Sequence, residues 1–224
     1  MSKALSFMRL DFITIKPYMT LKSMLILIGA AVVLGINNSA STIISGYMMM
    51  FAVMYSSYPF ALGEKNNIDS LYATLPLNKR SIVLGRYGFV VAFDIVVGIT
   101  AFVFSAVMDI AMQRPFDSIT ALLTITVLFA VCTFFQSIQL PIYFKLGYTK
   151  AKVAAYVPFM LVPLIVLGIG WLVEEQTLMN TLNNAFAWAA DNMAITVVVG
   201  IAVWAAMMFV SYRLSFGFYR KREF

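Results

Sequence analysis

RYGFVVAFDIVVGITAFVFSAV, residues 86–107, decides the fold class. After the opening Arg86 the run carries one charge, Asp94. About 20 predominantly apolar residues are what a helix needs to cross the roughly 30 Å hydrocarbon layer of a bilayer. The run lacks the polar–apolar alternation of a barrel strand, and in lipid a lone segment satisfies its backbone only as a helix. It reads as a transmembrane helix.

Five further apolar runs of similar length flank it, at about 18–36, 42–62, 119–144, 153–173 and 192–212. The 224 residues are 62% hydrophobic and 12% charged, with a mean hydropathy of +0.88. Soluble chains carry about 45–50% apolar and about 25% charged residues. An all-α membrane protein is expected, with one six-span domain over residues 18–224 and no appended soluble domain. The first residues, MSKALSFMRLDFITIKP, lack the basic, apolar and small-residue pattern of a cleaved secretory leader.

The net charge of +6 does not point to nucleic acid, because the basic residues form short clusters between apolar runs rather than a stripe. Lys3, Arg9, Lys16 and Lys22 accompany span 1, and Lys65, Lys79, Arg80 and Arg86 lie between spans 2 and 3. Lys145, Lys150 and Lys152 separate spans 4 and 5, and Arg213, Arg220, Lys221 and Arg222 follow span 6. Only Arg114 falls on the opposite side, so fifteen of the sixteen basic residues predict cytoplasmic termini. Residues 1–17 read as an amphipathic elbow helix on the inner membrane surface. Leu5, Met8, Phe12 and Ile15 recur at helical spacing, and Pro17 interrupts the helix before span 1.

Little in the sequence suits catalysis. Histidine is absent, which removes the usual general base and the commonest zinc ligand. The lone Cys132 lies in an apolar run and reads as packing, and Glu174–Glu175 reads as a polar outer loop with no histidine to complete a metal site. A P-loop needs a Gly-rich turn followed by Lys and Ser or Thr, and neither GEKNN at Gly63 nor GYTKAK at Gly147 has that spacing. No catalytic residue, metal or cofactor is therefore assigned to this chain.

Two features inside the membrane invite a functional reading. Asp94 is a carboxylate well inside span 3, where charge is costly, so it marks either a transport path or a hydrogen bond within the bundle. Span 2 is rich in Met and Tyr, with Tyr47, Met50, Met54 and Tyr58 offering a deformable surface for apolar ligands; ordinary packing accounts for the same residues.

The loop GEKNNIDSLYATLPLNKRSIVLGRYG, residues 63–88, is the most informative. Asn66 or Asn67 can cap a short helix over about 68–74, with Asp69 suiting its positive end and Pro76 stopping it. A second helix is expected to start near Asn78 and run through Lys79 and Arg80 into span 3. The result is a helical knob suited to a partner's groove, with Leu71, Tyr72 and Leu75 as its apolar docking surface.

Glu64-Lys65, Leu71, Leu75-Pro76, Lys79-Arg80, Ile82-Val83 and Arg86-Tyr87, together with LPIYFKLGYTKAK at 140–152 and the Arg-rich tail, resemble the ABC type-2 transporter permeases. That resemblance implies a bacterial cytoplasmic-membrane permease coupled through about residues 63–85 to separate cytoplasmic ABC ATPase subunits, which would bind the ATP and Mg. It also implies a dimer with a second copy or a paralogue. The chain looks most like the small peptide-exporter and bacteriocin-immunity branch, such as the phenol-soluble modulin exporter permeases, which implies amphipathic or hydrophobic peptide substrates met by spans 1, 2 and 5 among membrane lipids. Two other classes stay open: an ion- or proton-coupled carrier using Asp94, and a non-transporting immunity or scaffold protein.

Overall fold

The structure is a computed structural model and describes residues 3–37, 40–66, 68, 78–172 and 191–221, with isolated positions at 180, 181, 184, 188 and 189. Its helices are α1 (Lys3–Ile15), α2 (Leu21–Asn37), α3 (Ala40–Ser56), α4 (Tyr58–Lys65), α5 (Lys79–Ala111), α6 (Ser118–Leu146), α7 (Tyr148–Leu172) and α8 (Met193–Lys221). No strand occurs among the described residues.

Three of these helices, α5, α6 and α8, are long and apolar enough to cross a membrane. The 33 residues of α5 reach about 50 Å, well beyond the roughly 30 Å hydrocarbon layer. Apolar side chains face outward along the bundle, with Ile119 71% and Val198 66% exposed, an arrangement suited to lipid. Three threonine hydroxyls on these helices are satisfied locally: Thr100 donates to Val96 O, Thr124 to Thr120 O and Thr126 to Leu122 O, each at 2.8 Å.

The core gathers where α3 packs on α5, α8 on α6, and α1 on α5. Ile15, Phe60, Phe89, Tyr143, Phe144 and Tyr219 belong to its main cluster. Cys132 is buried with Met49 and Val53, as expected of a packing residue.

One local departure from expectation and two further local details have physical reasons. The run 42–62 is not one helix: it breaks at Ser57, because Pro59 at the start of α4 has no N–H to continue the ladder. Ser56 and Ser57 donate instead to Val53 O and Met54 O, both at 2.7 Å. Asn66, one of the two residues expected to cap the next helix, closes α4 by donating its N–H to Leu62 O at 3.0 Å. In α1 the buried side runs through Asp11 and Ile15, with Phe7, Met8 and Phe12 packed against the core, whereas Leu5 is 46% exposed.

The docking of α1 depends on Gly85. A Cβ there would lie 2.5 Å from Phe7 Cβ and 2.9 Å from Ala4 O, so only glycine lets the two helices approach this closely.

Candidate functional site

The features that could couple this bundle to a partner converge at its basic end, where α4, α5, α6, α7 and α8 present their termini. Phe60 stands at the centre. Its ring stacks on Tyr143 at 5.2 Å, meets Phe144 edge-on at 5.0 Å, and carries the Arg86 guanidinium 4.3 Å above its face. Arg86 pairs with Asp11 of α1 at 3.7 Å, and both residues are buried. One ion pair thus fastens α1 to α5, and one aromatic ring fastens α4 to α5 and α6.

The segment expected to couple has two described ends. At its near end Glu64, on the last turn of α4, accepts the backbone N–H of Thr149 at 3.0 Å. At its far end Asn78 caps α5 as expected, its side chain accepting Arg80 N–H at 3.0 Å. Lys79 Nζ donates to Arg220 O at 3.3 Å, and the Arg80 guanidinium lies 5.4 Å from the Phe216 ring centre. Lys145 likewise lies over Phe218 at 5.2 Å, so the C-terminal turns of α8 lean on both α5 and α6. Asp69, Leu71, Tyr72, Leu75 and Pro76, and all but the first residue of the short helix expected over 68–74, lie outside the described residues.

Within the bundle, the residues singled out for a substrate path lie in different surroundings. Met50 and Met54 are 63% and 43% exposed on α3. Tyr47 is half-buried against Phe51, and Tyr58 stacks on Tyr55, each at 5.0 Å. Asp94 is fully buried and accepts from Gln136 Nε2 of α6 at 3.0 Å. A cavity of about 230 Å³ opens between α2, α3 and α5, lined on α3 by Met48, Phe51, Ala52 and Tyr55 and on α5 by residues that include Phe93, Val97 and Phe104. The α3 residues that line it are the neighbours of those chosen by chemistry alone. Its walls are almost wholly apolar, fit for a hydrophobic group larger than a benzene ring, for which about 150 Å³ suffices.

A polar seam between α5, α6 and α8 was not foreseen from the sequence. Pro141 lies inside α6 and lacks an N–H, which leaves Ser137 O without its helical donor. Ser211 Oγ of α8 supplies one at 2.6 Å. Tyr87 OH hydrogen-bonds both Ser211 Oγ, at 2.5 Å, and Ser215 Oγ, at 2.8 Å. Such side-chain repair is how a bilayer helix tolerates proline.

A family model described as ABC-2 family transporter protein matches residues 7–219. The chain belongs to the ABC-2 transporter family. It is therefore a membrane protein of permease type, and ABC-2 permeases are generally non-catalytic subunits that work with an ABC ATPase. No curated protein and no solved structure matches the chain. Within this ABC-2 permease, sequence reasoning did not single out Asp11, Gln136 and Ser211, and it met Gly147 and Thr149 only within the stretch 140–152, without their roles. Only Gly147 carried a local signal, a glycine just past the basic last turn of a helix.

Proposed function

We propose that this ABC-2 permease is the membrane subunit of an ATP-driven exporter in the bacterial cytoplasmic membrane. It has six spans and cytoplasmic termini, docks separate ABC ATPase subunits through residues 63–85, and pairs with a second copy or a paralogue. Its cargo is an amphipathic or hydrophobic peptide, a reading supported by the apolar cavity beside α3 and by the resemblance to small peptide exporters. The observation that carries the exporter reading is the family match over residues 7–219. ATP and Mg bind the partner; this chain supplies the path and the mechanical link.

The fifteen-to-one basic asymmetry supports the topology. In intact cells, on a Cys132→Ala background, a membrane-impermeant thiol reagent should label a cysteine replacing Asn183 but not one replacing Lys79. Labelling of both positions, or of Lys79 alone, contradicts the six-span arrangement. A carrier driven through Asp94 makes the opposite energetic demand. Export that stops on ATP depletion but survives collapse of the proton gradient supports the present reading, and the reverse supports the carrier.

A further inference from the structure

We infer that Glu64 is a positioning residue that ties the near end of the coupling loop to α7, so that displacement of the loop swings α7 on Gly147. The inference rests on the exporter reading above and assigns Glu64 a role inside the permease rather than at the ATPase surface.

The first turn of α7 explains the arrangement. A helix begins with N–H groups that have no intrahelical partner, and a side chain just before it normally accepts one of them. Here the preceding residue is Gly147, which has no side chain. Glu64, 85 positions earlier and on another helix, accepts the Thr149 N–H instead, and its negative charge suits the positive end of the α7 dipole. A cap supplied from elsewhere in the chain is also a tether, because α4 and α7 then share a bond that local sequence does not maintain.

Gly147 is the joint. Its φ of 77° and ψ of 171° fall in a region that is essentially reserved for glycine, and its own N–H donates to Tyr143 O at 2.9 Å, closing α6. Thus α6 ends and α7 begins at one residue, whose N–H closes α6 and whose carbonyl accepts the Ala151 N–H at 3.1 Å to open α7. Beyond that joint, α7 is held near its start by Glu64 and by the stacking of Tyr148 on Tyr143 at 5.8 Å, and two turns on by Gln139 Nε2 of α6, which donates to Ala155 O at 3.0 Å.

The far end of the loop is fastened elsewhere. Lys79 and Arg80 bind the α8 tail through Arg220 O and Phe216. A force on the intervening residues therefore acts on α7 through Glu64 and on α5 and α8 through Lys79 and Arg80, moving α7 relative to the other two.

The test uses the full permease co-purified with its ATPase and reconstituted in liposomes, on a Cys132→Ala background with an environment-sensitive fluorophore on a cysteine replacing the exposed Val153 of α7. The readout is the emission shift between the nucleotide-free and ATP–vanadate-trapped states. With Glu64 intact the shift is expected. Compared in equal amounts of recovered permease–ATPase complex, Glu64→Ala should lose most of the shift, and Glu64→Gln, which retains an acceptor oxygen, should restore it. Equal thermal midpoints for the two variants separate tethering from misfolding, since a folding defect in Glu64→Ala alone would leave the shift in the surviving folded fraction. The inference is overturned if the Glu64-intact protein shows no shift, if Glu64→Ala shifts like it, or if Glu64→Ala fails to recover the ATPase. A Glu64-intact permease that recovers no ATPase at all contradicts the exporter reading instead.

Discussion

Ser211 Oγ donates to Ser137 O at 2.6 Å, filling the hydrogen bond that Pro141 leaves open in α6. Removing a partner from a buried carbonyl costs about 1–3 kcal/mol, so Ser211→Ala should lower stability by that order. Pro141→Ala returns an N–H to the helix. In that background Ser211→Ala should cost markedly less, with the remainder reflecting the Tyr87 contact. Thermal unfolding of the four proteins in one detergent measures the coupling, and strict additivity would contradict the repair.

The Asp11–Arg86 pair predicts a different pattern. Breaking a buried pair by removing one partner costs about 3–5 kcal/mol, whereas replacing both with apolar groups is often tolerated. Asp11→Ala should therefore destabilise the permease more than the double change Asp11→Ala with Arg86→Met. Denaturation midpoints check the order, and a double variant worse than the single would contradict it.

Close approach at Gly85 separates it from Gly200, where an added Cβ meets nothing within 4 Å. Gly85→Ala should cost about 1–3 kcal/mol and loosen α1, exposing it to protease. Gly200→Ala should stay within about 0.5 kcal/mol of the parent. Limited proteolysis with thermal melts reads both, and equal behaviour of the two variants would contradict the helix-crossing account.

Asp117 predicts a pH dependence away from the membrane-crossing segments. Its carboxylate accepts from Thr120 Oγ1 at 2.6 Å and from the N–H groups of Ile119 and Thr120 at 3.0 and 3.3 Å, bonds that hold its pKa below the ordinary carboxylate value. A depressed pKa in the folded state means that the cap is fully effective above the unfolded value and is lost as pH falls through the folded one. The protection factor at the start of α6, which removes the intrinsic pH dependence of amide exchange, should fall on acidification in the parent. In Asp117→Asn, which caps without titrating, it should show no such added fall; parallel profiles would contradict the cap.

Much of the architecture was legible because apolar runs of bilayer length admit one backbone solution. The start of α5 was legible too, since Asn78 is a capping residue placed directly before a helical pattern. Asp94 turned out to hydrogen-bond Gln136, one of the two readings open to it. What escaped depends on distant partners. Asp11 carried no signal of its own, because its partner Arg86 lies far along the chain. The spacing of α1 did not show that Asp11 and Ile15 turn toward the groove at Gly85 while Leu5 stays exposed, because that division depends on a helix far along the chain. Glu64 and Thr149 belong to the same class: neither residue type announces the other.

The central claim, that residues 63–85 carry the ATPase, rests most directly on Leu71 and Tyr72. Losing an apolar anchor at the centre of an interface costs about 2 kcal/mol or more, roughly thirtyfold in affinity. ATPase recovery should therefore be measured by co-purification on equal amounts of folded parent and of the double variant Leu71→Ala with Tyr72→Ala. The account predicts normal abundance and thermal stability with recovery reduced by that order; unchanged recovery from the folded variant would contradict it.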